Sequence, residues 1–425
     1  MSTHVLDHDA LDGEWTRRAS TRLLRRPAAA VPDDGADAMA RIRARRVADV
    51  ALARRVTLAA TLALVVLGLV AIDSATMVQA HGAAGLLSTA LGRQLVWCAV
   101  GLVALFVASE VDYHRWARLA TPLYVVNLVL LALVLVPGIG SGLASYGARR
   151  WIRLGPVGFQ PSELAKLTLV LYLAAYLSFK GDRLAKFFTG TVPAMLATGV
   201  LCALVLVEPD FGTAAFLGGI AFLLLFIGGM RLAHLVPIVL LSLPLVVHVV
   251  STRMTHVQRR IAQFLDPTAD LQGRGHQIHQ SLVALGSGGL VGRGIGEGRQ
   301  KLYFLPEGRN DFILSNLGEE MGFVGCALVI ALFALFVWYG AKIALTAPDD
   351  LGCYVSIGIV LSIGLQAAAN VAVVTASVPT KGISLPFVSY GGSSLVIFLF
   401  MVGVLLNVAR AAMDVEATGE REVLR

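Results

Sequence analysis

Charge is what this 425-residue chain has least of: 15% of its residues are Asp, Glu, Lys or Arg, 56% are hydrophobic, and the mean hydropathy is +0.73. Soluble domains carry about 25% charged and about 45–50% apolar residues, so a water-soluble enzyme is excluded and function must lie in a membrane and its loops. Cysteine is scarce as well. Cys98, Cys202, Cys326 and Cys353 sit in or beside apolar stretches, with neither Cys-x-x-Cys nor Cys/His metal spacing, which excludes a disulfide framework and reads them as small core hydrophobes. No secretory leader is expected, because the first apolar run follows more than fifty polar residues and lacks a small-residue cleavage site; it reads as a first span.

What is present begins with a basic tail. Residues 1–55 are rich in Ala and Arg and end in Arg41, Arg43, Arg45, Arg46, Arg54 and Arg55. Such a segment buries too little apolar area to offset its ordering entropy, so disorder is expected, with a basic interfacial helix near 38–55. Apolar stretches long enough to span follow at 56–72, 94–109, 119–136, 164–179, 191–207, 211–230, 232–250, 323–341, 351–378 and 395–409. The expectation is an all-α polytopic membrane protein of about ten helices. Both termini would be cytoplasmic, since the Arg cluster and Arg115, Arg118, Lys180, Arg183, Lys186, Arg231 and Lys342 fall on one side. A transmembrane domain over 56–410, a large outer loop over 251–322 between helices 7 and 8, and a short tail over 411–425 complete the organisation.

The outer loops break the charge rule. Arg149, Arg150 and Arg153 lie in loop 137–163, and Arg253, Arg259, Arg260, Arg274, Arg293, Arg299, Lys301 and Arg309 in loop 251–322. Long loops translocate largely regardless of charge, so the topology stands. Their charge serves either headgroup contact or an anionic ligand such as a pyrophosphate. Loop 251–322 exceeds the length of a connector. Within it, Ile278, Leu282 and Leu285 have helical spacing that suits an amphipathic helix on the outer membrane surface. The seven glycines from Gly286 to Gly298 match no nucleotide-binding loop and read as backbone flexibility. His276 and His279 lack a third metal ligand and read as solvated.

Four polar clusters fall on the outer side: 149–166, 208–212, 305–312 and 379–394. Glu163 and Lys166 are three apart, share a helix face and can pair, and ionisable residues within spans are functional candidates by default; a neutral staple is the alternative. Glu208 and Asp210 flank Pro209, where a turn needs polar caps in any case. Asp311 stands where a charged loop meets the apolar helix starting Phe312-Ile313-Leu314, and is either a partly desolvated general base or that helix's N-cap. Glu319 and Glu320 read as interior or pairing residues, and Lys381 as an anion ligand or a snorkelling cation.

Together these clusters closely resemble the SEDS family of bacterial peptidoglycan glycosyltransferases, which includes RodA, FtsW and SpoVE, over about residues 56–410. The family's Gln-Pro-Ser-Glu-x-x-Lys stands at Gln160–Lys166, its Glu-Pro-Asp-x-Gly at Glu208–Gly212, its Leu-Pro-Glu-x-x-x-Asp-Phe at Leu305–Phe312 and its Pro-Phe-Val-Ser-Tyr-Gly-Gly-Ser-Ser at Pro386–Ser394. Arg309-Asn310 replaces the His-Thr of many members, so no role passes to a histidine. Thr380-Lys381-Gly382 is similar to the division branch rather than the elongation branch.

The resemblance implies polymerisation of lipid II on the outer leaflet, for cell division or cell shape. Asp311 would be the catalytic base, and Glu163, Lys166, Arg153, Asp210, Glu307, Lys301, Lys381, Ser389 and Ser393 the substrate-binding or cavity residues, with no metal ligands assigned. A divalent cation, Mg or Mn, could assist the leaving pyrophosphate. A class B penicillin-binding protein would supply transpeptidase activity, for which no Ser-x-x-Lys context exists here, alongside other divisome or elongasome membrane proteins and no nucleic acid. The rival readings are a lipid II flippase, which would place its site near the midplane, and a scaffold acting through the basic tail.

Overall fold

The computed structural model describes residues 35–76, 89–141, 149–154, 157–253, 257–258, 264, 275–298, 310–379 and 382–418. It is a helical bundle: α1 (Gly35–Thr76), α2 (Ala90–Glu110), the short α3 (Tyr113–Arg118), α4 (Ala120–Leu135), α5 (Pro161–Lys180), α6 (Val192–Val207), α7 (Phe211–Ile227), α8 (Leu235–Arg253), α9 (Gly275–Gly288), α10 (Ile313–Thr346), α11 (Asp350–Val374) and α12 (Gly392–Thr418). Among the described residues eight helices are long and apolar enough to cross a membrane, and α4 and α7 are shorter apolar helices. Each of the ten expected stretches coincides with one of these. A small antiparallel sheet, β1 (Gly140–Ser141), β2 (Trp151–Leu154) and β3 (Val157–Phe159), lies between α4 and α5, with Ile152 opposite both Gly140 and Phe159.

The helix expected near 38–55 is present from Gly35 onward and, rather than lying apart at the interface, runs into the first span without a break. Its residues are mostly good helix formers, and a helix already nucleated in the span extends one hydrogen bond at a time. Packing helps: Val50 and Ala53 are buried, and Arg46 pairs with Glu416 at 3.7 Å, where α12 likewise continues through Thr418. At 1.5 Å per residue α1 is about 60 Å long, roughly twice a hydrocarbon core. At the same end of the bundle His114 Nδ1 meets Asp112 at 2.8 Å and its Nε2 meets Asp349 at 2.7 Å, tying α3 to the start of α11.

The core is centred on α5, α11 and α12, which are the most enclosed helices. In contrast α8 exposes Val236, Val239, Leu240, Leu241, Leu243 and Val247, an apolar surface suited to lipid. The amphipathic helix expected near 277–286 is α9, with one change of face: Ile278, Ser281 and Ala284 are buried and Leu282 is 44% exposed. Helix α9 packs against α10 rather than lying on lipid alone. Ser281 Oγ reaches Ser315 Oγ at 2.7 Å and donates to Val374 O at 2.8 Å, pinning α9 to the neighbouring ends of α10 and α11.

Close approach of main chains shapes the other end of the bundle. Phe387, at φ 65°, forms a left-handed γ-turn in which Val388 N donates to Pro386 O at 2.8 Å. That turn lies directly on α1, for a Cβ at Gly68 would sit 2.7 Å from Phe387 O and Val388 Cα. Gly68→Val should therefore displace the turn; we expect a drop of several degrees in the melting temperature of the detergent-solubilised protein, from an overpacking cost of about 1–3 kcal/mol. An unchanged melting curve would show that the turn yields freely.

Candidate functional site

Helix α5 opens with Pro161 in its first turn, where the missing N–H costs nothing and the preset φ starts the helix. This places Glu163 and Lys166 on one buried face, 8% and 3% exposed. Lys166 Nζ donates to Glu163 Oε1 at 2.8 Å and to Gln366 Oε1, on α11, at 2.7 Å. The ammonium also lies 5.1 Å from the Phe398 ring centre and 5.6 Å from that of Phe216. Both predicted residues thus pair as expected, inside a shell completed by α7, α11 and α12. Glu163 Oε2 is buried with no partner among the described residues.

Asp311 is half-buried immediately before α10, whose N-cap position is held by Phe312, without a side-chain cap bond. The N-cap role considered for Asp311 therefore falls one residue away. Its main chain is gripped: Asn370 Nδ2 donates to Asp311 O at 2.8 Å. On the facing loop, a Cβ at Gly382 would lie 3.3 Å from Asp311 Oδ2, so the carboxylate abuts bare backbone there. Ser389 Oγ accepts from Leu385 N at 2.8 Å and donates to Asn310 O at 2.6 Å, tying the residue before Asp311 to the same loop.

The Glu-Pro-Asp turn between α6 and α7 forms a separate unit. Asp210 caps α7 by accepting from Thr213 N at 3.1 Å and pairs with Arg150 Nη1 at 3.4 Å. Arg150 also donates to Glu208 O at 3.2 Å and to Pro209 O. Of the outer arginines expected to meet an anion, Arg150 is thus engaged in holding this turn. Arg149 and Arg153 are exposed, Arg153 on β2 opposite Gly158. Glu208 is wholly buried, and neither carboxyl oxygen has a hydrogen-bond partner among the described residues. Burial, reinforced by the charge of Asp210 and opposed by Arg150, pushes its carboxyl up to about 8.

With this geometry in hand, relatives can be compared. A model of the FtsW/RodA/SpoVE family, described as cell cycle proteins, matches residues 54–414. The chain belongs to this family. A probable peptidoglycan glycosyltransferase FtsW of Geobacter sp. (strain M18) is 46% identical over 319 residues, covering 75% of this chain and 86% of the relative. Stage V sporulation protein E of Bacillus subtilis (strain 168) is 41% identical over 350 residues, 82% and 95% of the two chains. Among solved structures, a chain of a peptidoglycan synthase complex described as coordinating polymerization and crosslinking superposes with TM-score 0.69 at 32% identity, over 84% of this chain and 97% of that one. The crystal structure of Thermus thermophilus rod shape determining protein RodA gives 0.60 at 31%, over 83% and 95%. As an FtsW/RodA/SpoVE protein the chain is a multi-pass protein of the bacterial inner membrane.

Of the family's motif residues, the bundle brings Glu163, Lys166, Ser389 and the Asp311 main chain into one hydrogen-bonded assembly, with Asp210 in the neighbouring unit. Ser393 is buried near the start of α12, its hydroxyl without a partner among the described residues. Lys301, Glu307 and Lys381 lie outside the described residues. In the glycine-rich segment Gly289, Gly292, Gly294 and Gly296 take positive φ, and close approach is a second use of glycine there. Gly288 and Gly292 allow its backbone onto Gly318 O and Glu320 O, where a Cβ would lie within 2.0 and 2.1 Å. Gly322, at φ 66°, breaks α10 at the same place. Glu319 and Glu320 are interior, as expected: Arg293 Nη1 stands 3.6 Å from Glu319, and Ser74 donates to Glu320 at 2.5 Å.

Sequence reasoning missed three amides that organise the site. Gln94 Oε1 accepts from Gly391 N at 3.3 Å, Gln366 Nε2 donates to Ser384 O at 2.9 Å, and Asn370 joins Asp311 to Ile383. A neutral amide in an apolar span was the available signal, since such a group needs an internal partner as surely as a charge does.

Glu208 yields a pH prediction. Its folded carboxyl keeps its proton up to about 8, against an ordinary value of 4.5, so between those values the unfolded chain binds fewer protons and stability falls as pH rises. We expect the wild-type melting temperature to decline from pH 5 to pH 8 and Glu208→Gln to flatten that decline. An unchanged slope in the variant would mean that Glu208 does not stay neutral.

Proposed function

We infer that this chain, a peptidoglycan glycosyltransferase of its family, polymerises lipid II into glycan strands at the outer face of the inner membrane. The observation that carries the mechanism is the placement of Asp311, half-buried at the mouth of α10 and beside the backbone of Gly382, on a main chain held by Asn370 and Ser389. A carboxylate partly withdrawn from water but reachable from the loop end is suited to general-base work.

In this reading Asp311 accepts the proton of the acceptor GlcNAc 4-hydroxyl as that oxygen bonds to the donor's anomeric carbon. The bond from that carbon to undecaprenyl pyrophosphate breaks, and the pyrophosphate leaves with the electron pair. A single carboxylate suffices because the leaving group is already activated, unlike the alcohol expelled in glycoside hydrolysis. Lys166 is held by Glu163 and Gln366 as a fixed positive charge in a dry shell, where it stabilises developing negative charge more strongly than it would in water. Arg149 and Arg153 are exposed outer cations available to the pyrophosphate, whereas Arg150 keeps the 208–210 turn in place.

Among the described residues no three His, Cys, Asp or Glu side chains converge to hold a metal ion. A divalent cation, Mg or Mn, is a further part of this reading: held beside Asp311, it would neutralise leaving-group charge. For crosslinking, the reading includes a class B penicillin-binding protein as partner; the similarity to a chain of a peptidoglycan synthase complex supports it.

The test is polymerisation of lipid II by the purified protein with its transpeptidase partner. Asp311→Ala should lower glycan formation by at least about 100-fold, the usual scale for loss of a general base, without altering the melting temperature by more than a few degrees. Equal polymer from the variant, or none from wild type, would overturn the assignment. Retained lipid II translocation in vesicles alongside absent polymerisation would favour a flippase.

A further inference from the structure

Two residues outside the four motif clusters connect the two halves of the site. Gln366 and Asn370 are four apart on α11, so their side chains leave the same helix face one turn from each other. Each amide serves both sides. Gln366 accepts from Lys166 and donates to Ser384 O; Asn370 donates one hydrogen to Ile383 O and the other to Asp311 O, both at 2.8 Å. The carbonyls of the consecutive residues Ile383 and Ser384 are thus held by consecutive amides. The result is a continuous path from the Glu163–Lys166 pair to the Asp311 main chain.

Asn370 is an expensive residue at this place. It is wholly buried, and its Oδ1 has no partner among the described residues. An unpaired buried acceptor is destabilising, a cost that an aliphatic residue of similar volume would avoid. What the amide supplies, and an aliphatic residue does not, is two donors that set the Ile383 and Asp311 backbones at one separation. We infer that Asn370 is a positioning residue for Asp311, fixing the carboxylate against the 382–389 loop, with Gln366 doing the same for Lys166. This rests on the reading of Asp311 as the base.

The test compares wild type with Asn370→Leu and Asn370→Asp for kcat and KM on lipid II across pH, with hydrogen exchange of the backbone measured in parallel. A displacement of about 1 Å in a reacting group costs about 100-fold. Asn370→Leu should therefore lower kcat by about that factor, far more than the accompanying drop of a few degrees in melting temperature accounts for, while KM stays near wild type. Asn370→Asp should be as poor at pH 8, where a carboxylate faces two carbonyls, and should recover part of kcat relative to wild type as pH falls and a proton restores one donor. Among the described residues the titratable neighbours are Asp311 on the loop before α10 and, through Gln366, the Lys166–Glu163 pair on α5; residues 382–389 bring none. Exchange at 383–389 and 311–313 should quicken in Asn370→Leu, with the Asp350 end of α11 unchanged.

Active wild type with unaltered kcat in both variants would overturn the inference, as would a loss of activity that follows the melting temperature with no acid recovery. Wild type without polymerase activity would sink the base reading alone, and the exchange experiment would still decide whether Asn370 holds the two segments together.

Discussion

A charged pair inside a hydrocarbon-thick bundle has to be enclosed, and Lys166 with Glu163 is the pair around which the rest closes. In a medium of low dielectric an ammonium without partners is prohibitively costly, so its donors must be met by the protein itself. Glu163 meets one on α5 and Gln366 meets another from α11, while Phe216 of α7 and Phe398 of α12 cover the ammonium with ring faces. Four helices are therefore committed by one side chain. Breaking such a buried pair leaves a single uncompensated charge, a loss of about 3–5 kcal/mol.

From that centre the demands pass outward along hydrogen bonds. Gln366 holds Ser384, Asn370 holds Ile383 and Asp311, and Ser389 joins Leu385 to Asn310, so the 382–391 loop serves as backbone mortar between α10 and α11. The loop in turn needs room on α1, which Gly68 supplies. A second region of tight main-chain contact, Gly288 and Gly292 against the break in α10 at Gly322, fixes the segment that precedes the Asp311 loop. Glycine works here through closeness and, at Gly292 and Gly322, also through a positive φ that other residues rarely adopt.

Much of this was legible in the residues. Apolar stretches announced, among the described residues, the eight helices long enough to span and the two shorter apolar ones, and the three-residue spacing of Glu163 and Lys166 announced their pairing. The position of Asp311 at a polar-to-apolar boundary marked it out without reference to any relative. Other features were not legible for physical reasons. A helix near 38–55 was legible, but its unbroken continuation into the first span and the burial of Val50 and Ala53 depend on packing that composition does not reveal. Leu282 has helical spacing but faces outward, because α9 buries Ser281 and Ala284 beneath the ends of α10 and α11. Arg150 reads as an anion ligand until its bonds to the 208–210 turn are seen.

By itself the sequence determined the membrane, the helices and the identity of the charged groups, because hydropathy and spacing are local properties set within a turn or two of the chain. Tertiary structure alone decided which groups meet. The path from Lys166 to Asp311 passes through residues about 200 positions apart on α5 and α11, and hydrogen bonds of about 3 Å are made or missed according to how those helices pack. Gln366 and Asn370, neutral and unremarked in an apolar span, owe their importance entirely to that packing.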